Sequence, residues 1–350
     1  MLFQKNAAPA VCLALVLAFC AAADAQTDPN DAKPFPVFTG TTSYFTRVTG
    51  GVVQDSPSMS PLLLYPFGDK WLFEAKGSYS DTFAKNKSNA WEGTMSYGLG
   101  YAEIDYLANR YLTVTAGRFT TPFGIYGERY APIWVRALQT GPLISSLARG
   151  SSNGGMLRGG FSVNPEIDFN YAVYFSAAVT NHVVTSDRTS GGRFGVFFPQ
   201  ERLELGASFQ KSFQQEHSRA EGVHAVWQPN AIPLSLRSEY QWSEWRGSGF
   251  WVEGAYRLSQ IPHGRPIEVV GRGQKFYASR LKPAALTKFG IANMKDTQQA
   301  DVGLNYYLPN DVRVSGSYGR QFGINKDTHL WTVGLTYRFV MPAFPGGGTR

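Results

Sequence analysis

From residue 71 to residue 340 the chain alternates apolar and polar side chains with a period of two, the mark of strands with two unlike faces. In 329–340, Trp331, Val333, Leu335, Tyr337 and Phe339 share one face, and Leu330, Thr332, Gly334, Thr336 and Arg338 share the other. In 167–179, Ile167, Phe169, Tyr171, Val173 and Phe175 oppose Asp168, Asn170, Tyr174 and Ser176. In 232–243, Leu234, Leu236, Tyr240 and Trp242 oppose Ser235, Arg237, Glu239 and Gln241. Similar segments fall near 71–83, 92–108, 111–121, 154–164, 191–200, 203–214, 219–229, 248–259, 266–278, 299–309 and 311–322. The pattern predicts about 14 strands. A weaker hairpin over 40–66 (TTSYFTRV and LLLYPF) raises the number to about 16.

The links between strands alternate in length. LANR (107–110), NPE (164–166), PQE (199–201), PNAI (229–232) and LPND (308–311) are short and carry Pro, Asn and Asp, which suit tight turns. DTFAKNKSN (81–89), TNHVVTSDRTS (180–190), QQEHSRA (214–220) and the stretch 279–299 are long and polar. A secreted sandwich has no reason to alternate its loops. A transmembrane antiparallel β-barrel does, with short turns on the periplasmic side and long loops outside. If 329–340 ends at the periplasm, the parity closes on an even strand number. No repeat of propeller-blade length is present.

The polar faces carry charges of both signs along the strand middles: Glu74, Lys76, Arg158, Asp168, Arg193, Glu204, Arg237, Glu239, Glu253, Arg257, Glu268, Arg272, Asp301, Arg313 and Arg338. A dry core could not hold so many, so these faces turn to a water-filled lumen. Lys76, Arg158, Arg193, Arg237, Arg257, Arg272 and Arg313 are therefore expected to line a pore. The competing use of each is to zip the wall together by pairing with an inward acid.

One segment breaks the pattern. GRFTTPFGIYGERYAPIWVRALQTGPLISSLARGSSNGGMLRGG (117–160) holds too many apolar residues for a solvated loop. Ile125, Tyr126, Tyr130, Ile133, Trp134, Val135, Leu138, Leu143, Ile144 and Leu147 need a surface to cover, and the inside of the barrel supplies one. The expectation is a loop, 125–153, folded inward to constrict the lumen. Pro132 suits the first turn of a short helix over IWVRALQ, with a second helical turn at 143–149. The loop carries Arg129, Arg136 and Arg149, with Glu128 the only acid between 118 and 160. Guanidinium groups at a constriction bias a pore toward anions and hold carboxylate or phosphate through paired donors.

GRFTTPFGIYGERYAPIWVRALQTGPL resembles a segment of outer-membrane porins similar to the phosphate-selective porin O/P group. The resemblance implies a β-barrel channel with an inward-folded loop, assembled as a homotrimer. Two features depart from it. The Tyr337-Arg338-Phe339 ending, which looks like an assembly signal, is followed by VMPAFPGGGTR, and the inward charges are nearly balanced.

Composition completes the reading. Lys5, the apolar run Ala10–Ala23 and the A-x-A site Ala23–Ala25 form a secretory signal peptide over 1–25, leaving a barrel domain over 26–340 and a tail over 341–350. Cys12 and Cys20 lie in that leader, so disulfides and Cys metal sites are excluded from the mature chain. The net charge of +7 favours anionic solutes or lipid headgroups as partners; export argues against nucleic acid. His182, His217, His224, His263 and His329 lack zinc-hydrolase spacing, and no G-x-S-x-G elbow or P-loop occurs, so no enzyme chemistry, metal or cofactor is implied. The sequence predicts a porin of the bacterial outer membrane for small hydrophilic solutes and ions, with a preference for anions. The alternatives are a non-conducting structural or adhesive barrel and a barrel lipid hydrolase using His224 with a nearby Ser.

Overall fold

The computed structural model describes residues 36–85, 90–147, 150–180, 184–214, 217–258, 266–281, 295–323 and 327–342. The leader 1–25, Arg149 and residues 343–350 of the tail lie outside the described residues.

The strands are β1 (Val37–Thr49), β2 (Val52–Phe67), β3 (Trp71–Lys85), β4 (Trp91–Asn109), β5 (Leu112–Thr120), β6 (Ser151–Asn164), β7 (Ile167–Ser176), β8 (Val179–Thr180), β9 (Thr185–Ser186) and β10 (Thr189–Phe198). They continue as β11 (Leu203–Ser212), β12 (Arg219–Trp227), β13 (Leu234–Ser243), β14 (Gly247–Leu258), β15 (Ile267–Tyr277), β16 (Thr297–Leu308), β17 (Val312–Phe322) and β18 (Thr328–Pro342). Sixteen of them form one closed antiparallel barrel; β8 and β9 make a separate two-stranded ladder within a link. Closure comes from β1 on β18, in register from Val37 opposite Pro342 to Thr49 opposite Leu330. The hairpin expected over 40–66 is β1 and β2, and the last strand runs two residues into the expected tail.

Both described chain ends lie at one rim, here the turn end, with the links 68–70, 110–111, 165–166, 199–202, 228–233 and 309–311. The opposite rim, the loop end, carries the described parts of 121–150 and of the other long links. Two links there are tight, Gly50–Gly51 and 244–246, so the alternation of lengths is less regular than the sequence suggests.

The two faces separate as the period predicts. Along β12, Ala220, Gly222, His224 and Val226 are buried, while Arg219, Glu221 and Val223 are exposed. Val173, Phe175, Tyr240, Val252, Val302, Leu304, Trp331, Val333 and Leu335 all face outward and are uncovered by protein. Each would gain roughly 1.5–3 kcal/mol on leaving water, so hydrocarbon is the medium this surface fits. No described helix is long or apolar enough to cross a membrane; the strands do it.

Candidate functional site

The segment after β5 turns into the barrel at Gly124. Its φ of +66° is open to glycine, and an added Cβ would run into the Glu239 carboxylate of β13. The Gly124 N–H donates to Ser208 Oγ at 3.0 Å, and the Tyr126 N–H to Glu239 Oε2 at 3.4 Å. Ile125, Ile144 and Leu147 then pack on Val226, Trp251 and Phe276, which are inward residues of β12, β14 and β15. Tyr126 meets Trp251 edge-on at 6.1 Å. Ala137 and Leu138 pack on Ala255 and Val270. A Cβ on Gly303 of β16 would lie 2.5 Å from Leu138 Cδ2. The loop is therefore inside the lumen, as its apolar content requires.

The expected helix over IWVRALQ is not formed beyond its first turn. The N–H groups of Val135 and Arg136 both reach Pro132 O, so the start is where Pro132 sets it. The carbonyls that would continue the helix are taken by the wall. Arg313 of β17 donates to Ile133 O (2.7 Å), Trp134 O (2.9 Å) and Arg136 O (3.1 Å). Asn305 of β16 donates to Ala137 O at 2.8 Å, and Arg272 of β15 to Thr140 O at 2.9 Å. What forms instead is one π-helical turn at Tyr126–Tyr130 and one 3-10 turn at Leu143–Ser146.

The predicted site residues divide into three groups. Arg237, Arg272 and Arg313, expected to line the pore, are buried under the loop. Arg237 pairs with Glu253 at 2.8 Å, and Arg272 with Glu253 (3.7 Å) and Asp301 (3.2 Å). These four occupy one rung of the sheet, from β13 through β14 and β15 to β16, with charges alternating in sign. Tyr130 lies on the Arg237 guanidinium at 4.3 Å.

A second group fastens loop to wall. Arg129 pairs with Glu204 of β11 at 2.7 Å. Burial opposes the Arg129 cation, but the hydrogen bond and charge of Glu204 outweigh it and hold its pKa above the usual value. Glu128 pairs with Arg193 of β10, which also donates to Gly124 O at 3.2 Å. Burial pushes the phenol of Tyr126 upward, so it stays neutral in the packed face.

The third group stays with the lumen. Arg136 is half-buried and donates to Ala131 O (3.0 Å) and Gln139 O (3.1 Å) of its own loop. Among the described residues no carboxylate lies within ion-pair distance of it. Its charge is felt by three other cations, Arg47 on β1, Lys76 on β3 and the buried Arg313 on β17. Arg47 was not singled out by the sequence. Next to them, Glu74, Glu103 and Asp105 of β3 and β4 gather with Arg158 of β6, which pairs with Asp105. Thr115 Oγ1 also donates to Asp105, at 2.5 Å. Arg257 is largely exposed to the lumen and loosely paired with Glu268 at 3.8 Å. His224, on which the hydrolase alternative rests, is buried with Nε2 3.4 Å from Glu204 Oε1; among the described residues no Ser hydroxyl partners it.

No protein-family model matches the chain, and no curated protein does. Solved structures do. Pseudomonas putida OprB at high pH superposes with a TM-score of 0.59 at 11% identity, over 88% of this chain and 94% of that one. Salmonella typhi OmpF in complex with daunomycin gives 0.54 at 14% identity, over 87% and 97%. A mutant of the Rh. blastica porin gives 0.52 at 13% identity, over 87% of this chain and 100% of that one. At such identities the likeness is one of architecture, and it agrees with the strand order, the apolar outer face and the polar lumen: the fold is that of the outer-membrane porins.

Proposed function

We propose that this chain is a porin of the bacterial outer membrane, through which small hydrophilic solutes and ions diffuse passively, with a modest preference for anions. The observation that carries the reading is the loop inside the lumen presenting Arg136, a cation with no carboxylate partner among the described residues and with Arg47 and Lys76 among its charged neighbours. Cations at a narrowing raise the local anion population. The preference is modest because Glu74, Glu103 and Asp105 share the same narrowing and because Arg158 is already paired.

The resemblance to phosphate-selective porins supports the loop and a homotrimer as its assembly. Phosphate selectivity itself is less favoured, since Arg129, Arg193, Arg237 and Arg272 spend their charge on carboxylates. A catalytic role is not part of the proposal. The test is a planar bilayer with a salt gradient of potassium chloride. Discrete channels and a reversal potential of the sign for chloride are expected. Folded protein that gives no channels would overturn the porin reading; a cation-selective potential would overturn only the part assigned to Arg136.

A further inference from the structure

The outer face of the barrel is chemically lopsided along the membrane normal. Within the described strands every charged side chain that points outward lies close to the loop end: Asp55, Asp81, Lys85, Arg118, Lys211, Arg219, Glu221, Lys275 and Arg320. At the turn end the outward positions are apolar or aromatic, as at Phe67, Trp71, Trp227, Tyr256 and Tyr306. An Arg or Lys on the lipid face costs about 2–4 kcal/mol at the midplane and roughly 0–1 near the interface, so these cations mark a headgroup level.

Three of them repeat one arrangement. Lys211, Lys275 and Arg320 each stand two residues before an aromatic on the same face at the exit of a strand, and each lies over that ring: Phe213 at 5.8 Å, Tyr277 at 4.8 Å and Phe322 at 5.1 Å. Arg219, directly opposite Lys211 in the ladder, lies over Trp242 at 5.4 Å. The rung of Lys275 runs across Gln298 to Phe322, so the arrangement continues along the rim from β11 to β17. The ring orients each cation at the interface while leaving its donors for water or a ligand.

Among the described residues the acids nearby are few. Asp187 lines the same hollow as Arg219, and Asp296 accepts the Ala278 N–H at 2.7 Å beside Tyr277. Asp327 already pairs with Arg320 through Nε at 2.8 Å. Glu221 stands two residues from Arg219 on the same face, opposite Phe209, and Glu244 accepts the Arg219 backbone N–H at 3.4 Å. Asp55 sits on β2 and accepts from Thr46, and Asp81 sits on β3, both on the far side of the barrel. Arg118 is turned onto Leu99 O and Asn153, and Lys85 onto Trp91. Lys211, Arg219 and Lys275 are left with no carboxylate in ion-pair range among the described residues.

We infer that Lys211, Arg219 and Lys275, each seated on an aromatic ring at the loop-end rim, dock the phosphate groups of an anionic lipid headgroup in the leaflet that rim meets. The inference uses the outer-membrane reading to assign the leaflet, and it is independent of conduction through the lumen. A cation near a membrane surface contributes about 1 kcal/mol toward anionic lipid, so three together give on the order of 100-fold in affinity.

The test uses the folded chain in zwitterionic detergent, titrated with diphosphoryl lipid A, with its dephosphorylated form and with inorganic phosphate. Wild type should prefer the diphosphoryl lipid, and the preference should fall as salt rises. The triple variant Lys211→Gln, Arg219→Gln, Lys275→Gln should lose on the order of 100-fold for that lipid, keep its weak binding of the dephosphorylated form and conduct as wild type does. If the triple variant fails to fold, Lys211→Gln and Lys275→Gln alone should each lose about 5-fold. Equal affinity for the two lipids, or variants that bind as wild type does, would overturn the belt. Inorganic phosphate competing at the lipid's own concentrations would overturn the lipid as its source. Loss of channels with lipid binding intact would count against the porin reading and leave the belt standing.

Discussion

The lumen wall has two halves that use the same residue types differently. From β10 to β18 the wall carries the loop, and its inward face mixes apolar residues (Val226, Trp251, Val270, Phe276) with arginines held at fixed partners. From β1 to β6 the inward face gathers charges along the wall itself, Arg158 of β6 pairing with Asp105 of β4, while its apolar Phe119 and Met156 are buried against Ala172 and Tyr174 of β7. Arg193, Arg237, Arg272 and Arg313 on the first half are fasteners, each with a carboxylate or several carbonyls that take up its charge, whereas Arg257 of β14 stays open to the lumen. On the second half Arg158 is paired as well, but Arg47 and Lys76, and Arg136 on the loop surface facing them, keep a field that a solute can feel. Whether an arginine is paired matters more than how many there are.

The strongest way to break this division is to undo a fastener. Arg313 is fully buried and reaches three loop carbonyls. Arg313→Gln should weaken loop docking by about 4 kcal/mol or more, since it removes three hydrogen bonds from a charged donor at roughly 1.5–3 kcal/mol each. The expected result is a larger, noisier single-channel conductance and new cleavage by trypsin at Arg129 or Arg136. Quiet channels of unchanged size would show that the apolar contacts alone hold the loop.

The next effect tests the apolar side of the same fastening. Gly303→Val puts methyls where Leu138 packs, and Gly124→Val places a side chain against the Glu239 carboxylate at a positive φ. Overpacking of this kind costs about 1–3 kcal/mol. Both variants should raise conductance in the direction of Arg313→Gln, by less. Gly316→Val, where an added Cβ meets nothing within 4 Å, is the control and should conduct as wild type does.

These contacts also explain what the sequence could and could not reveal. The strands were legible because two unlike faces recur with period two, as Trp331, Val333 and Leu335 against Thr332 and Thr336. The inward loop was legible because Ile125, Leu138 and Ile144 have no place in solvent. The use of each charge was not, because partners are set by strand register: Arg237, Glu253, Arg272 and Asp301 form one rung from four separate strands. The helix over IWVRALQ was overestimated for the same reason, its carbonyls being claimed by an arginine 177–180 residues away. Arg47 was missed because Pro57 and Pro61 blur the alternation of its hairpin partner. One signal was present and unread. Trp251, Val270 and Phe276 make inward faces apolar where outward faces are apolar too, and a wall apolar on both faces marks where an inserted loop lies.

A smaller effect is expected from the partly exposed tether. Glu204→Gln leaves Arg129 a neutral acceptor, so the loss is about 1 kcal/mol. Single-channel noise should rise slightly with the mean conductance unchanged. A released loop would mean that this pair, and not Arg313, is the main fastener.

The smallest effect on structure is the one that separates the two halves of the wall. Arg136 spends its hydrogen bonds on its own loop, so Arg136→Gln should leave docking and trypsin resistance near wild type while removing a unit charge from the narrowing. In water a charge about 5–6 Å away acts with roughly 0.75 kcal/mol, so the local anion population should fall by a factor of about 3–4. The reversal potential should move toward the cation side, most clearly in dilute salt, where screening is weak. Arg136→Lys separates charge from geometry: the ammonium keeps the field but not the guanidinium's planar set of donors to Ala131 O and Gln139 O. If selectivity follows charge, Lys behaves as Arg and Gln does not. If Lys and Gln shift the potential equally, Arg136 acts by shaping the loop and belongs with the fasteners, and the preference for anions must then rest on Arg47 and Lys76, whose replacement by Gln would carry the shift instead.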